Sequence, residues 1–118
     1  MYSNFGQFID GKWQASSNKE TYEVINPANE EVIGRASKAT LEDVDRALKS
    51  AEKGLEVWKK TSPWKRSSII RKIADLIRAK QDILAKWITL EVGKPFLEGK
   101  GEVGATADIF EWNSEETK

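Results

Sequence analysis

Apolar residues alternate with polar ones in the first third of the chain and recur every three or four positions in the rest. The period therefore changes once, near residue 38, from the two-residue repeat of a strand to the repeat of a helix. Residues 6 to 14, GQFIDGKWQ, predict two short strands. Asp10-Gly11 between them carries the signature of a type I′ turn, flanked by Phe8, Ile9 and Trp13. In residues 21 to 37 Tyr22 and Val24 alternate with polar neighbours, Asn26-Pro27-Ala28-Asn29 predicts a turn, and Val32-Ile33 starts a returning strand.

From Thr40 onward the pattern predicts helices. Thr40 followed by Asp43 reads as a capping box with a shorter acid, and Val44, Ala47, Leu48, Ala51, Leu55 and Trp58 share one face of the helix it starts. Ser62 and Pro63 read as cap and first position of a second helix, with Ile69, Ile70, Ile73, Leu76 and Ile77 as its apolar stripe. A third helix is expected to be capped by Asp82, to face inward with Ile83, Leu84, Trp87 and Ile88, and to stop at Gly93 before Pro95. A fourth runs from about Leu97 toward the end and carries Val103, Ala107, Ile109, Phe110 and Trp112. The fold class expected is α+β and mostly α, with hairpin strands over 1–38 and about four amphipathic helices over 39–118. The pattern shows no internal repeat, low-complexity tract or linker.

One short stretch invites a chemical reading. Residues 99 to 104, GKGEVG, spell G-x-G-x-x-G. As a dinucleotide fingerprint the pattern requires a preceding strand, a helix opening on the glycines, and an acid about twenty residues on. Here it follows a helix, falls in or at the start of another, and the acid would lie beyond Lys118. The glycines are better read as positions of close approach on a helix.

Composition narrows the chemistry further. The chain has 118 residues, enough for one domain, and its five tryptophans demand a packing surface. Its 19 basic and 19 acidic side chains balance, which argues against a nucleic-acid binder. There is no cysteine and no histidine, so there is no thiol nucleophile, no disulfide, and neither the commonest general base nor the commonest metal ligand. No apolar run approaches a membrane span, and MYSNFGQF lacks the features of a signal peptide. A cytoplasmic location without membrane partners is expected.

The basic stretch of Lys59, Lys60, Lys65, Arg66, Arg71 and Lys72 reads as solvated helix faces, and Glu111, Glu115 and Glu116 as surface glutamates. Gly93-Lys94-Pro95 is a helix stop and turn, lacking the rest of a P-loop, and no G-x-S-x-G elbow occurs. Taken together the residues form no complete catalytic constellation.

Four stretches in order carry a resemblance. FIDGKW at 8–13, VINPANEEVIG at 24–34, EDVDRAL at 42–48 and LEVGKP at 90–95 resemble the N-terminal region of NAD(P)-dependent aldehyde dehydrogenases. WKRSSIIRKIADLI at 64–77 and the run from LEGKGEVG through IFEWNSEE at 97–116 look most like the succinate-semialdehyde dehydrogenase group. The resemblance implies a single N-terminal segment of the cofactor-binding domain, within an α/β enzyme several times longer. In the family a thiolate attacks the aldehyde, hydride passes to NAD or NADP, and the thioester is hydrolysed. The catalytic cysteine, the general-base glutamate and the cofactor-binding lysine lie downstream of the matched region. The resemblance thus implies a fragment that binds no cofactor and has no catalytic residue of its own.

It also places the helix after the GKP turn beside the substrate tunnel, with Gly101, Gly104 and Asp108 on or near that face. A structural monovalent cation held by some relatives would use the Ile25 carbonyl and Glu91. The expected partner is the remainder of the enzyme chain, and in its absence self-association through exposed apolar helix faces. The competing expectation is a free-standing helical protein-interaction module without enzymatic activity.

Overall fold

Asp10 and Gly11 both adopt positive φ, 54° and 74°, as the central residues of a type I′ turn require. In the computed structural model, which describes residues 5–118, this turn joins β1 (Gln7–Ile9) to β2 (Lys12–Gln14). The strands pair antiparallel with Phe8 opposite Trp13, and the two rings meet at 5.3 Å. A second antiparallel pair links β3 (Thr21–Ile25) to β4 (Val32–Ser37), with Thr21 opposite Ser37. Between them the Asn26 side chain accepts from the Ala28 amide at 3.0 Å, and the Asn26 amide donates to the Glu31 carbonyl at 2.9 Å. The turn thus supplies its own hydrogen bonds, as Asx turns do.

The helix α1 (Leu41–Trp58) starts on the expected capping box. The Thr40 hydroxyl accepts from the Asp43 amide, and the Asp43 carboxylate accepts from the Thr40 amide. The chain divides into two compact units between Lys59 and Lys60, so the change from strand to helix falls inside the first.

The second unit holds α2 (Pro63–Ala79), α3 (Gln81–Val92) and α4 (Phe96–Glu116). Ser62 caps α2 by accepting from the Lys65 amide, and Pro63 occupies the first helical position. Gly93 ends α3 in the left-handed conformation, its amide donating to the Thr89 carbonyl. The expected Asp82 cap is not present: Lys80 occupies the cap position without a side-chain bond. Asp82 instead sits in the first turn of α3 and pairs with Lys100 at 2.8 Å. The reason is the tight joint after α2, where Lys80 closes one helix and opens the next, leaving no extended residue at position 82.

The core of this unit is made of small residues. Ala74 of α2, Ala85 of α3, and Val103 and Ala107 of α4 are buried, together with Ser67, Gly99 and Ser114. Short side chains let α4 lie close against both neighbours. The large apolar residues lie outside that seam. Ile83, expected to face inward, is exposed, as are Ile109 and Trp112 of α4, while Leu84, Trp87 and Ile88 are half-buried. Three helices can bury only one narrow stripe each, so the wider apolar faces have nothing to cover them in this unit. No helix among the described residues is long and apolar enough to cross a membrane.

Candidate functional site

Gly101, Gly104 and Asp108 lie three and then four residues apart within α4, which puts them on one helical face. Their surroundings differ. A Cβ added at Gly101 would meet nothing within 4 Å. One added at Gly104 would come 3.4 Å from Nε2 of Gln81, whose amide donates to the Lys100 carbonyl at 3.1 Å. Gly99 is the glycine that packing demands: its Cβ would stand 3.1 Å from the Ala85 carbonyl oxygen of α3. A glycine inside a helix costs about 1 kcal/mol relative to alanine. Contact with α3 accounts for that cost at Gly99, and nothing in this unit accounts for it at Gly101.

Asp108 is not free to act as a lone acid. Its carboxylate accepts from the Arg78 guanidinium at 2.7 Å, and the same guanidinium pairs with Glu111. Glu111 in turn pairs with Arg71 at 2.9 Å. These bonds, first from Asp108 and then from Glu111, raise the pKa of Arg78 above its already high value. Glu115 is shifted down by the hydrogen bond from Lys118. So Glu111 and Glu115, read from sequence as plain surface acids, belong to ion pairs that run along α4.

The glycine pattern 99–104 sits inside α4, with the turn after α3 before it and no strand. The Gly99 amide already donates to the Pro95 carbonyl at 3.1 Å, and the amides that follow lie in the helical ladder. They are not turned outward as a phosphate cradle requires.

Glu91, in the last turn of α3, borders an apolar cleft of about 350 Å³ that Leu84, Trp87, Ile88 and Val103 also line. Ile25 ends β3, where the register with β4 is shifted between Val24 and Ile25. It belongs to the first unit and Glu91 to the second. Among the described residues no group of three acidic side chains comes together to hold a metal ion.

The most elaborate polar site is one whose extent the sequence concealed. Asp43 is 1% exposed. Its carboxylate accepts from the Thr40 amide at 2.9 Å, the Gln7 side chain at 3.1 Å, the Ser17 amide at 3.1 Å, and the Arg46 guanidinium. The Thr40 bond is the largest influence. It acts with those from Arg46, Gln7 and Ser17 against the opposing effect of burial, and together they hold the carboxyl far below the usual carboxylate range. Arg46 also donates to the Gln14 side chain at 3.1 Å. One acid therefore ties α1 to β1 and to the loop after β2. The capping box was visible as a local pattern, but its partners at positions 7 and 17 carry no signal at that distance in sequence.

The sequence profile of the aldehyde dehydrogenase family matches residues 13–118. A glutarate-semialdehyde dehydrogenase of Pseudomonas aeruginosa is 38% identical over 111 residues, which cover 94% of this chain and 23% of that protein. Aldehyde dehydrogenase family 7 member B4 of Arabidopsis thaliana is 38% identical over 109 residues, 92% of this chain and 21% of that one. Among solved structures, an NAD-dependent aldehyde dehydrogenase from Sinorhizobium meliloti superposes with a TM-score of 0.94 at 33% identity, over 98% of this chain and 24% of its own. A betaine aldehyde dehydrogenase from Staphylococcus aureus, in complex with NAD+, superposes with a TM-score of 0.90 at 35% identity, over 93% and 23%. The chain spans less than a quarter of the length of each of these relatives.

Proposed function

Because the chain belongs to the aldehyde dehydrogenase family, we propose that it is the N-terminal segment of the cofactor-binding domain of an enzyme that oxidises a semialdehyde to the carboxylic acid with NAD or NADP. The observation that carries this reading is the family match over residues 13–118, together with 38% identity to a semialdehyde dehydrogenase. The substrate class is succinate semialdehyde or its one-carbon-longer homologue. We further propose that the 118 residues alone are inactive. They contain no cysteine or histidine, and their one glycine-rich motif has its amides in a helix. The glycines at 99–104 therefore do not fit a dinucleotide, and no hydride-transfer step is assigned to any residue of this chain.

Within the longer enzyme the chain supplies surface and shape. Gly101, Gly104 and Asp108 form the face of α4 that borders the substrate tunnel. Support comes from Gly101, whose missing side chain faces open space and has no packing reason inside its own unit. The cation site at the Ile25 carbonyl and Glu91 would be completed by residues outside this chain. The rest of the enzyme covers the large apolar side chains left outside the core, among them Leu41 at 86%, Leu97 at 80% and Trp112 at 69% exposed.

A free-standing interaction module would use the same exposed side chains, so a single comparison separates the two readings. The 118-residue chain and the product of the reading frame continued past Lys118 are each assayed for reduction of NAD and NADP with succinate and glutarate semialdehydes. Activity confined to the continued product is the expected result. Turnover by the 118-residue chain would overturn the claim of inactivity. A reading frame that stops at Lys118 would favour the module.

A further inference from the structure

A groove of about 400 Å³ runs between the β1–β2 hairpin and α1, wholly within the first unit. Its α1 wall presents Arg46, Lys49, Ser50 and Lys53, spaced three, one and three residues apart and therefore on one face. Its hairpin wall presents Lys12 and Trp13. Arg46 is committed to Asp43 and Gln14. The three lysines are not: among the described residues Lys12, Lys49 and Lys53 form no ion pair. Asp45 and Glu52 stand one turn from Lys49 on the same helix, yet neither comes within ion-pair distance of it.

The arrangement is unfavourable as it stands. Lys49 and Lys53 are like charges one turn apart, which destabilises a helix. The one carboxylate in the groove, Asp10, accepts from the Ser50 hydroxyl at a long 3.5 Å. Three lysines without an ion-pair partner thus face a single acid across the groove. Beside them Trp13, 64% exposed, presents its indole and is braced by Phe8.

From this we propose that the groove binds a small phosphate-bearing polyanion, with Lys12, Lys49 and Lys53 holding the phosphates and Trp13 forming an apolar wall. Its volume falls within the range of small-molecule sites. Ammonium groups on flexible stems serve phosphates as point charges. The inference rests on the first unit alone and is independent of the enzyme reading.

The test is a titration of the 118-residue chain with inorganic pyrophosphate at constant ionic strength, following the indole N–H of Trp13 by two-dimensional NMR. A saturable shift is expected, weakened about tenfold or more in the double variant K49Q/K53Q, and unchanged in K59Q/K60Q, whose lysines lie outside the groove. A parallel titration with ADP identifies the source of the phosphates: tighter binding than pyrophosphate assigns a nucleotide with its ring on Trp13, and equal binding assigns a free polyphosphate. No saturation by about 50 mM of either ligand, where only screening remains, would overturn the proposal. Equal weakening in both lysine pairs would overturn it too, because it would mean diffuse charge rather than a site. Neither pair touches the core, and the dispersion of the indole signals checks that each variant stays folded.

Discussion

Asp43 shows how one side chain can do two jobs that look alike in sequence. Its carboxylate closes the capping box of α1 and also receives Gln7, Ser17 and Arg46. These bonds depress its folded-state pKa, first through Thr40. The stabilisation is therefore complete above the unfolded carboxyl value of about 4, and it is lost as pH falls below that toward the folded value. Asp43→Asn should lower the melting temperature near neutral pH, and the gap from the parent should shrink as acid is added. Thermal unfolding followed by circular dichroism at neutral and acid pH checks this, and a gap that stays constant would contradict it. The glycines of α4 make a second contrast. Gly101→Ala should stabilise the chain by about 0.5–1 kcal/mol, because the position is helical and open. Gly99→Ala should recover none of that gain, since its methyl group meets a backbone carbonyl at 3.1 Å. In the proposed longer enzyme, Gly101→Leu should lower kcat/KM for the semialdehyde without loss of stability, and unchanged kinetics would remove Gly101 from the proposed tunnel face.

At the scale of elements, α4 is held by shape on one side and by charge on another. Ala107 is fully buried and Ala74 of α2 is buried too, so the close seam is made from residues with almost no side chain. Ala107→Leu should overpack it and cost about 1–3 kcal/mol by denaturant unfolding. The ion pairs from Arg71 and Arg78 to Asp108 and Glu111 are largely exposed. Removing Arg78 should therefore change stability much less than filling the seam does. The caps of these helices were legible in advance at Thr40, Ser62-Pro63 and Gly93, because each depends on two or three neighbours in sequence. Asp82 was misread for the opposite reason: it has the chemistry of a cap, but the backbone at that joint had already turned helical at Gln81.

For the whole molecule the decisive feature is apolar surface without a cover. Trp64, Leu97 and Trp112 all stand largely in solvent. A chain that exposes so much is expected to self-associate or to bind an apolar dye. Light scattering after size exclusion, with dye fluorescence, tests this on the 118-residue chain. A monodisperse, dye-silent monomer would count against the missing-cover reading.

Period, turn chemistry and the caps at Thr40 and Ser62 followed from the sequence by itself, because each is set by backbone geometry over a few residues. Asp10-Gly11 had to turn, Gly93 had to stop a helix, and the family resemblance rested on motifs kept in order. The absence of cysteine and histidine was equally plain, and with it the want of a thiol nucleophile. Only the tertiary structure decided which face of each helix is buried. Periodicity marks an apolar stripe but not its partner, and here the small residues won the seam while the large ones were left outside. It also separated Gly99 from Gly101, which look the same in GKGEVG, because close approach is a property of the neighbouring helix. It gathered Gln7 and Ser17 onto Asp43 and brought Lys49 and Lys53 to the same groove as Lys12 and Trp13, since contacts between distant residues exist only once the chain has folded back.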